Sequence, residues 1–139
     1  MLGMLINPGL LHAPNTWKLW VDYITKQEGL AVRKAALVHH DGTVAYAGRG
    51  FGLPAKDIQK LGAYLEGTNN NDKITLNGNT YIIKDIDQKH LVAFSGSKYY
   101  IITRSNTMYI IAVCESRQKF GEVVTLLKKL ARRLIEKDF

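Results

Sequence analysis

The residues with the most chemistry to offer are four histidines, one cysteine and two tryptophans. His39 and His40 stand beside Asp41, a trio that could hold a metal or move a proton. If both histidines lie on a strand, their side chains point to opposite faces and cannot share an ion. His12 and His90 are far off in sequence, and no His, Cys or Glu spacing resembles a zinc site. The pair reads as the flank of a turn, and no metal is expected. Cys114 ends an apolar stretch with nothing beside it in sequence to lower its pKa, so it reads as a buried structural thiol. "GRGFG" (48–52) has glycines, but neither the lysine nor the strand–loop–helix order of a phosphate loop. The carboxylates are scattered without an acid–base pair. No enzyme and no cofactor are expected.

The aromatics say more. "NTWKLWVDYI" places Trp17 and Trp20 one helical turn apart, with Val21 and Ile24 completing an i, i+3, i+4, i+7 stripe. Both tryptophans could pack inward, as rings on an apolar stripe usually do. They could equally form an exposed shelf, the surface on which extended proline-rich ligands dock with little ordering entropy to lose. Spacing alone leaves both readings open.

The elements that must position these residues follow from periodicity. Residues 1–14, with Pro8, Gly9 and Pro14 and no clean period, read as a flexible N-terminal extension. Asn15 or Thr16 can cap a first helix that Gly29 closes. "KAALVHH", the turn "HDG" and "TVAYAG" read as a hairpin. Pro54 opens a second helix with Ile58, Leu61 and Leu65 inward. "GTNNND" (67–72) is a loop, after which "KITL" and "TYIIKD" join through Asn77-Gly78, a strong hairpin signal. "HLVAFS", "KYYIITR" and "TMYIIAVC" follow as strands. Ser116 then caps a long helix whose stripe runs through Phe120, Val123, Val124, Leu127, Leu130, Ala131, Leu134 and Ile135. Strands joined by tight turns must run antiparallel. The expected fold is a single α+β domain over 15–139: an antiparallel sheet of six or seven strands, packed against terminal helices, with a smaller helix between strands.

Nineteen basic residues against 12 acidic ones give +7 and a pI near 9.5, which suits an anionic partner. Lys128, Lys129, Arg132 and Arg133 read as a cationic strip on the outer face of the last helix. The same residues would serve equally as a solvated face. No apolar run approaches the ~20 residues needed to cross a bilayer. The apolar start lacks a basic leader, and a lone cysteine suits a reducing compartment, so a cytoplasmic protein is expected.

Three segments resemble the profilin family, the small actin-monomer-binding proteins. "FGEVVTLLKKLARRLIEKDF" is similar to the family's C-terminal helix through Gly121, Glu122, Leu130, Leu134, Ile135, Glu136 and Phe139. "AALVHHDGTVAYA" resembles a family strand pair through Ala35, Ala36, Val38, Asp41, Gly42 and Ala47, and "ITLNGNTYII" a family hairpin through Gly78 and Tyr81. The likeness covers about 15–139 and implies the same sheet-and-helix fold.

The resemblance also implies partners. A proline-rich ligand would lie in an aromatic groove between the terminal helices, at Trp17, Trp20, Tyr46, Arg133, Leu134 and Phe139. Arg133 stands for a histidine or tyrosine and Phe139 for a tyrosine, which implies weaker or altered proline selectivity. An actin monomer would meet Thr103, Ser105, Lys119, Gly121, Thr125 and Lys129. Phosphoinositides would meet Lys128, Lys129, Arg132 and Arg133. The departures imply a distant member, such as an archaeal one, acting as a monomer near the cytoskeleton. The extension could fold over Trp17 and Trp20 and compete with proline. Two rival readings stand beside this one. The first is a roadblock- or longin-like scaffold for small GTPases. The second is a basic nucleic-acid-binding domain using Tyr99, Tyr100 and Tyr109 with Lys98 and Arg104.

Overall fold

The computed structural model describes residues 14–139. The expected extension lies outside the described residues. The apolar stripe from Trp17 forms helix α1, Pro14–Thr25. Proline takes its first position, where a missing N–H costs nothing. Asn15 and Thr16 therefore fall within the helix bounds. Its last residue is Thr25, whose hydroxyl donates to the Val21 carbonyl at 3.2 Å, and the helix ends before Gly29, which sits in the following turn at φ 77.

Strands β1 (Val32–His39) and β2 (Val44–Ala47) come next, then two short helices, α2 (Ala55–Gln59) and α3 (Leu61–Leu65), where one was expected. The break falls at Lys60, but Ile58, Leu61 and Leu65 all point inward as their spacing requires. Five strands follow: β3 (Lys73–Leu76), β4 (Asn79–Ile86), β5 (His90–Ser95), β6 (Lys98–Arg104) and β7 (Met108–Cys114). Asn77 and Gly78, both at positive φ (51 and 81), make the two-residue turn between β3 and β4. Helix α4 (Phe120–Glu136) is the last element. The Ser116 hydroxyl accepts the Lys119 N–H at 3.1 Å, so it caps a lead-in turn, and regular helix begins at Phe120.

All seven strands form one antiparallel sheet in the order β2-β1-β7-β6-β5-β4-β3. Helices cover both sides of its centre, which is why β7 reads as an unbroken apolar run. Met108, Ile110, Ala112 and Cys114 face the layer of α1 and α4, while Tyr109, Ile111 and Val113 face α2 and α3. On the first side α1 lies against β1 and β2, and α4 against β6 and β7. The outer strands of that side carry exposed residues, among them Lys73, Thr75 and Ile82. No helix among the described residues is long and apolar enough to cross a membrane.

Candidate binding surfaces

The first surface lies between α1 and the end of α4. Trp17 is partly buried, and its ring meets Phe139 edge-on, centroids 5.3 Å apart at 88°. Tyr46 on β2 and Phe139 pack partly buried against the same core cluster. Arg133, also partly buried, and Leu134, fully buried, belong to the last turn of α4. Trp20 is a correction to the exposed-shelf reading. Its ring is 6.5 Å from that of Trp17, tilted at 54°, but it is 0% exposed and sits in the core with Val21 and Ile24. Among the described residues its Nε1 finds no hydrogen-bond partner. Trp17, Tyr46 and Phe139 are thus the partly accessible rings, and Trp20 and Leu134 lie beneath.

The second surface lies beyond the other flank of α4, where the sheet is uncovered. Phe94, Tyr99 and Phe120 stack in series, with centroids 5.6 Å apart for the first pair and 4.4 Å for the second. The ammonium of Lys84 sits 5.7 Å from the Phe94 ring and 5.6 Å from the Phe120 ring, a cation–π cap over both. Beside them Ile82 is 48% exposed. Sequence reasoning missed Ile82, Lys84 and Phe94, and took Phe120 as core. The signal was present in "TYIIKD", where Ile82 shares a face with Lys84 rather than with buried Tyr81.

Of the residues assigned to actin, Gly121, Thr125 and Lys129 are exposed on α4, and Lys119 pairs with Glu122 at 3.0 Å. The Thr125 hydroxyl donates to the Gly121 carbonyl at 3.2 Å. Thr103 and Ser105 are corrections, because both are buried. Thr103 faces α4 and donates to the Leu127 carbonyl at 3.3 Å, and Ser105 is occupied in the β6–β7 turn. Neither can meet a partner directly.

The four cations of α4 do not form one strip. Lys129, Arg132 and Arg133, with Glu136, border an outer depression. Lys128 instead turns toward a cleft of about 150 Å³ that Arg132 also lines, with Lys89 and Arg104 from the strand ends. Asp87 closes that cleft. Burial alone would raise its carboxyl, but the Lys89 and His90 backbone N–H groups and the His90 ring hold it below the usual carboxylate range. His90 itself is buried, with Nε2 2.9 Å from Asp85 and Nδ1 2.9 Å from Asp87.

The remaining candidates are structural. His39 ends β1, and His40 lies in the turn, its ring 4.4 Å from that of Tyr109. Burial pushes the His40 pKa down. Cys114 is buried, and burial pushes its thiol up. Tyr99, Tyr100 and Tyr109, offered as a base-stacking platform, are all buried beneath the helices. That removes the sheet face the nucleic-acid reading needs.

The profilin family model matches residues 15–139. This chain belongs to the profilin family. It is 26% identical over 126 residues to profilin-2 of Acanthamoeba castellanii, a match covering 89% of this chain and 99% of the relative. Among solved structures, Acanthamoeba castellanii profilin IA superposes with a TM-score of 0.77 at 23% identity, covering 88% of this chain and 99% of its own. LokiProfilin1 in complex with rabbit actin gives 0.67 at 18% identity, with 83% and 90% covered. Mouse profilin IIa in complex with a double repeat from the FH1 domain of mDia1 gives 0.70 at 15% identity, with 88% and 99% covered. The antiparallel sheet between terminal helices is the profilin fold, and the GTPase-scaffold alternative gives way to it.

Proposed function

We propose that this profilin binds actin monomers and regulates their polymerisation, and that it also docks proline-rich segments. It is a binding protein rather than an enzyme, acting as a monomer in the cytoplasm. The observation that carries this reading is the placement of two aromatic surfaces on opposite flanks of α4. Trp17 and Phe139 lie toward α1, whereas Phe94, Phe120 and Lys84 lie toward the open outer strands. One rigid domain can therefore hold a monomer on one side and a proline-rich assembly factor on the other. Family members of the same fold bound to rabbit actin and to an FH1 repeat support both halves.

The actin surface consists of Ile82, Lys84, Phe94 and Phe120 with the exposed α4 residues Gly121, Thr125 and Lys129. A ring stack crowned by a cation fits a partner patch that is apolar with an acidic rim. The proline surface consists of Trp17, Tyr46 and Phe139 with Arg133 at its margin. Lys129, Arg132 and Arg133, with Lys128 in the neighbouring cleft, suit phosphoinositide headgroups at about 1 kcal/mol per cation near a membrane surface.

Calorimetric titration with monomeric actin, alongside an assembly assay, tests the leading half. Saturable one-to-one binding with slowed spontaneous assembly is expected, and Lys84→Glu should weaken it about tenfold by reversing the charge at the patch centre. Binding that Lys84→Glu leaves untouched would move the actin site elsewhere.

A further inference from the structure

We propose that Ser105 and Thr107, in the turn between β6 and β7, form a clasp that positions the Phe139 ring at the aromatic groove. The functional consequence rests on reading that groove as a proline site; the clasp itself is read from geometry alone. Beyond α4 the chain makes a hook. The Lys137 N–H bonds the Leu134 carbonyl at 3.0 Å, Asp138 takes φ 69, and the Phe139 N–H returns to Leu134 at 2.8 Å. With the Asp138 N–H on the Ile135 carbonyl at 3.0 Å, this is a helix end closed by the helix's own carbonyls, which fixes where the chain leaves α4 but leaves the Phe139 oxygen to find partners elsewhere.

A second set of bonds, from the β6–β7 turn, converges on that oxygen. It accepts the Thr107 N–H at 2.6 Å, the Thr107 hydroxyl at 2.7 Å and the Ser105 hydroxyl at 2.9 Å. Ser105 is buried, and its oxygen accepts the Met108 N–H at 3.1 Å, so the turn itself holds the donor in place. A hydroxyl has one proton, and the contact to Phe139 is shorter than the 3.2 Å contact to the Met108 carbonyl. With its N–H tied to α4 and its oxygen tied to the turn, Phe139 is fixed on both sides of its Cα. Only its two side-chain torsions remain, and the ring settles edge-on against Trp17.

Ser105 and Thr107 are therefore positioning residues. The family resemblance assigns Ser105 to the actin face, yet the clasp gives it, with Thr107, a role at the other surface. The link also runs between elements, since Ser105 borders a second cleft with Arg104, Lys89 and Ile135.

The test compares the full chain with Thr107→Val, Thr107→Ser, Thr107→Val/Ser105→Ala and Phe139→Ala. Two readouts are taken: the ring-current shift that Phe139 imposes on the Trp17 indole protons, and affinity for a decaproline peptide. Thr107 is exposed, so Thr107→Val should keep the fold while diminishing the ring-current shift. It should weaken the peptide roughly three- to tenfold, as loss of one anchoring hydrogen bond allows. Thr107→Ser should restore both. If the full chain binds no decaproline, the proline reading fails, and the ring-current shift still decides the clasp. A Trp17 shift that stays at the full-chain value in Thr107→Val and in the double variant overturns it.

Discussion

Trp20→Ala removes a ring wholly enclosed by the core of α1, α4 and the sheet, and should cost about 3–5 kcal/mol in denaturant unfolding. Trp17→Ala removes a ring that is partly in solvent. Its stability cost should be less than half as large, while its effect on proline-peptide affinity should be the greater of the two. A larger stability loss at Trp17 than at Trp20 would reverse the assignment of floor and shelf. Trp20→Phe should cost less than the volume change suggests, because it also removes the unpartnered Nε1 and its burden of about 1–3 kcal/mol. The helical spacing was legible in the sequence and predicted that both rings share a stripe. Which ring is covered depends on Phe139 and on α4, more than a hundred residues away, and no local pattern carries that. Thr103 failed for a related reason: alternation gives a strand two faces, but only the packed helix decides which face is closed, while Ser105 lies past the end of β6 in a turn that the distant Phe139 closes.

At the scale of elements, the turns were the most legible part of the fold because they are fixed by backbone chemistry alone. Asn77-Gly78 needs two left-handed residues in succession, and the pair supplies them. Gly42, in the β1–β2 turn, is constrained twice. Its φ is 96, and a Cβ there would stand 2.8 Å from the Ala55 Cβ at the start of α2. Gly29 has a similar φ of 77 with nothing within 4 Å of an added Cβ. Gly29→Ala should therefore cost only the strain of about 1–2 kcal/mol for a left-handed L-residue. Gly42→Ala should cost distinctly more, because a backbone neighbour must also give way. Thermal melts of the two variants make the comparison directly, and equal losses would mean that α2 shifts freely. Less legible was the division of the middle helix at Lys60, since the apolar spacing through Ile58, Leu61 and Leu65 is the same whether or not the helix breaks. The uncovered outer strands were also hidden, because the sequence gives no measure of how far α4 reaches across the sheet.

For the whole molecule, the sheet order decides how the two surfaces relate. α1 occupies the β1–β2 side and α4 the β6–β7 region, which leaves the Lys84-capped stack and the Trp17–Phe139 pair separated by the full width of α4. They share no side chain, and both rest on a sheet whose strand β7 is buried on each face. Effects at distant sites with no shared partner usually add to within about 0.5 kcal/mol. Trp17→Ala should accordingly leave actin affinity within about twofold of the unaltered chain, and Lys84→Glu should do the same for decaproline. A complex of all three components should form with nearly the product of the two separate affinities. A larger mutual effect, measured by titrating actin at saturating peptide, would mean that α4 shifts as a unit when either side is filled. The Phe139 main-chain oxygen, tied to the end of β6, would then be the first contact through which that shift could pass.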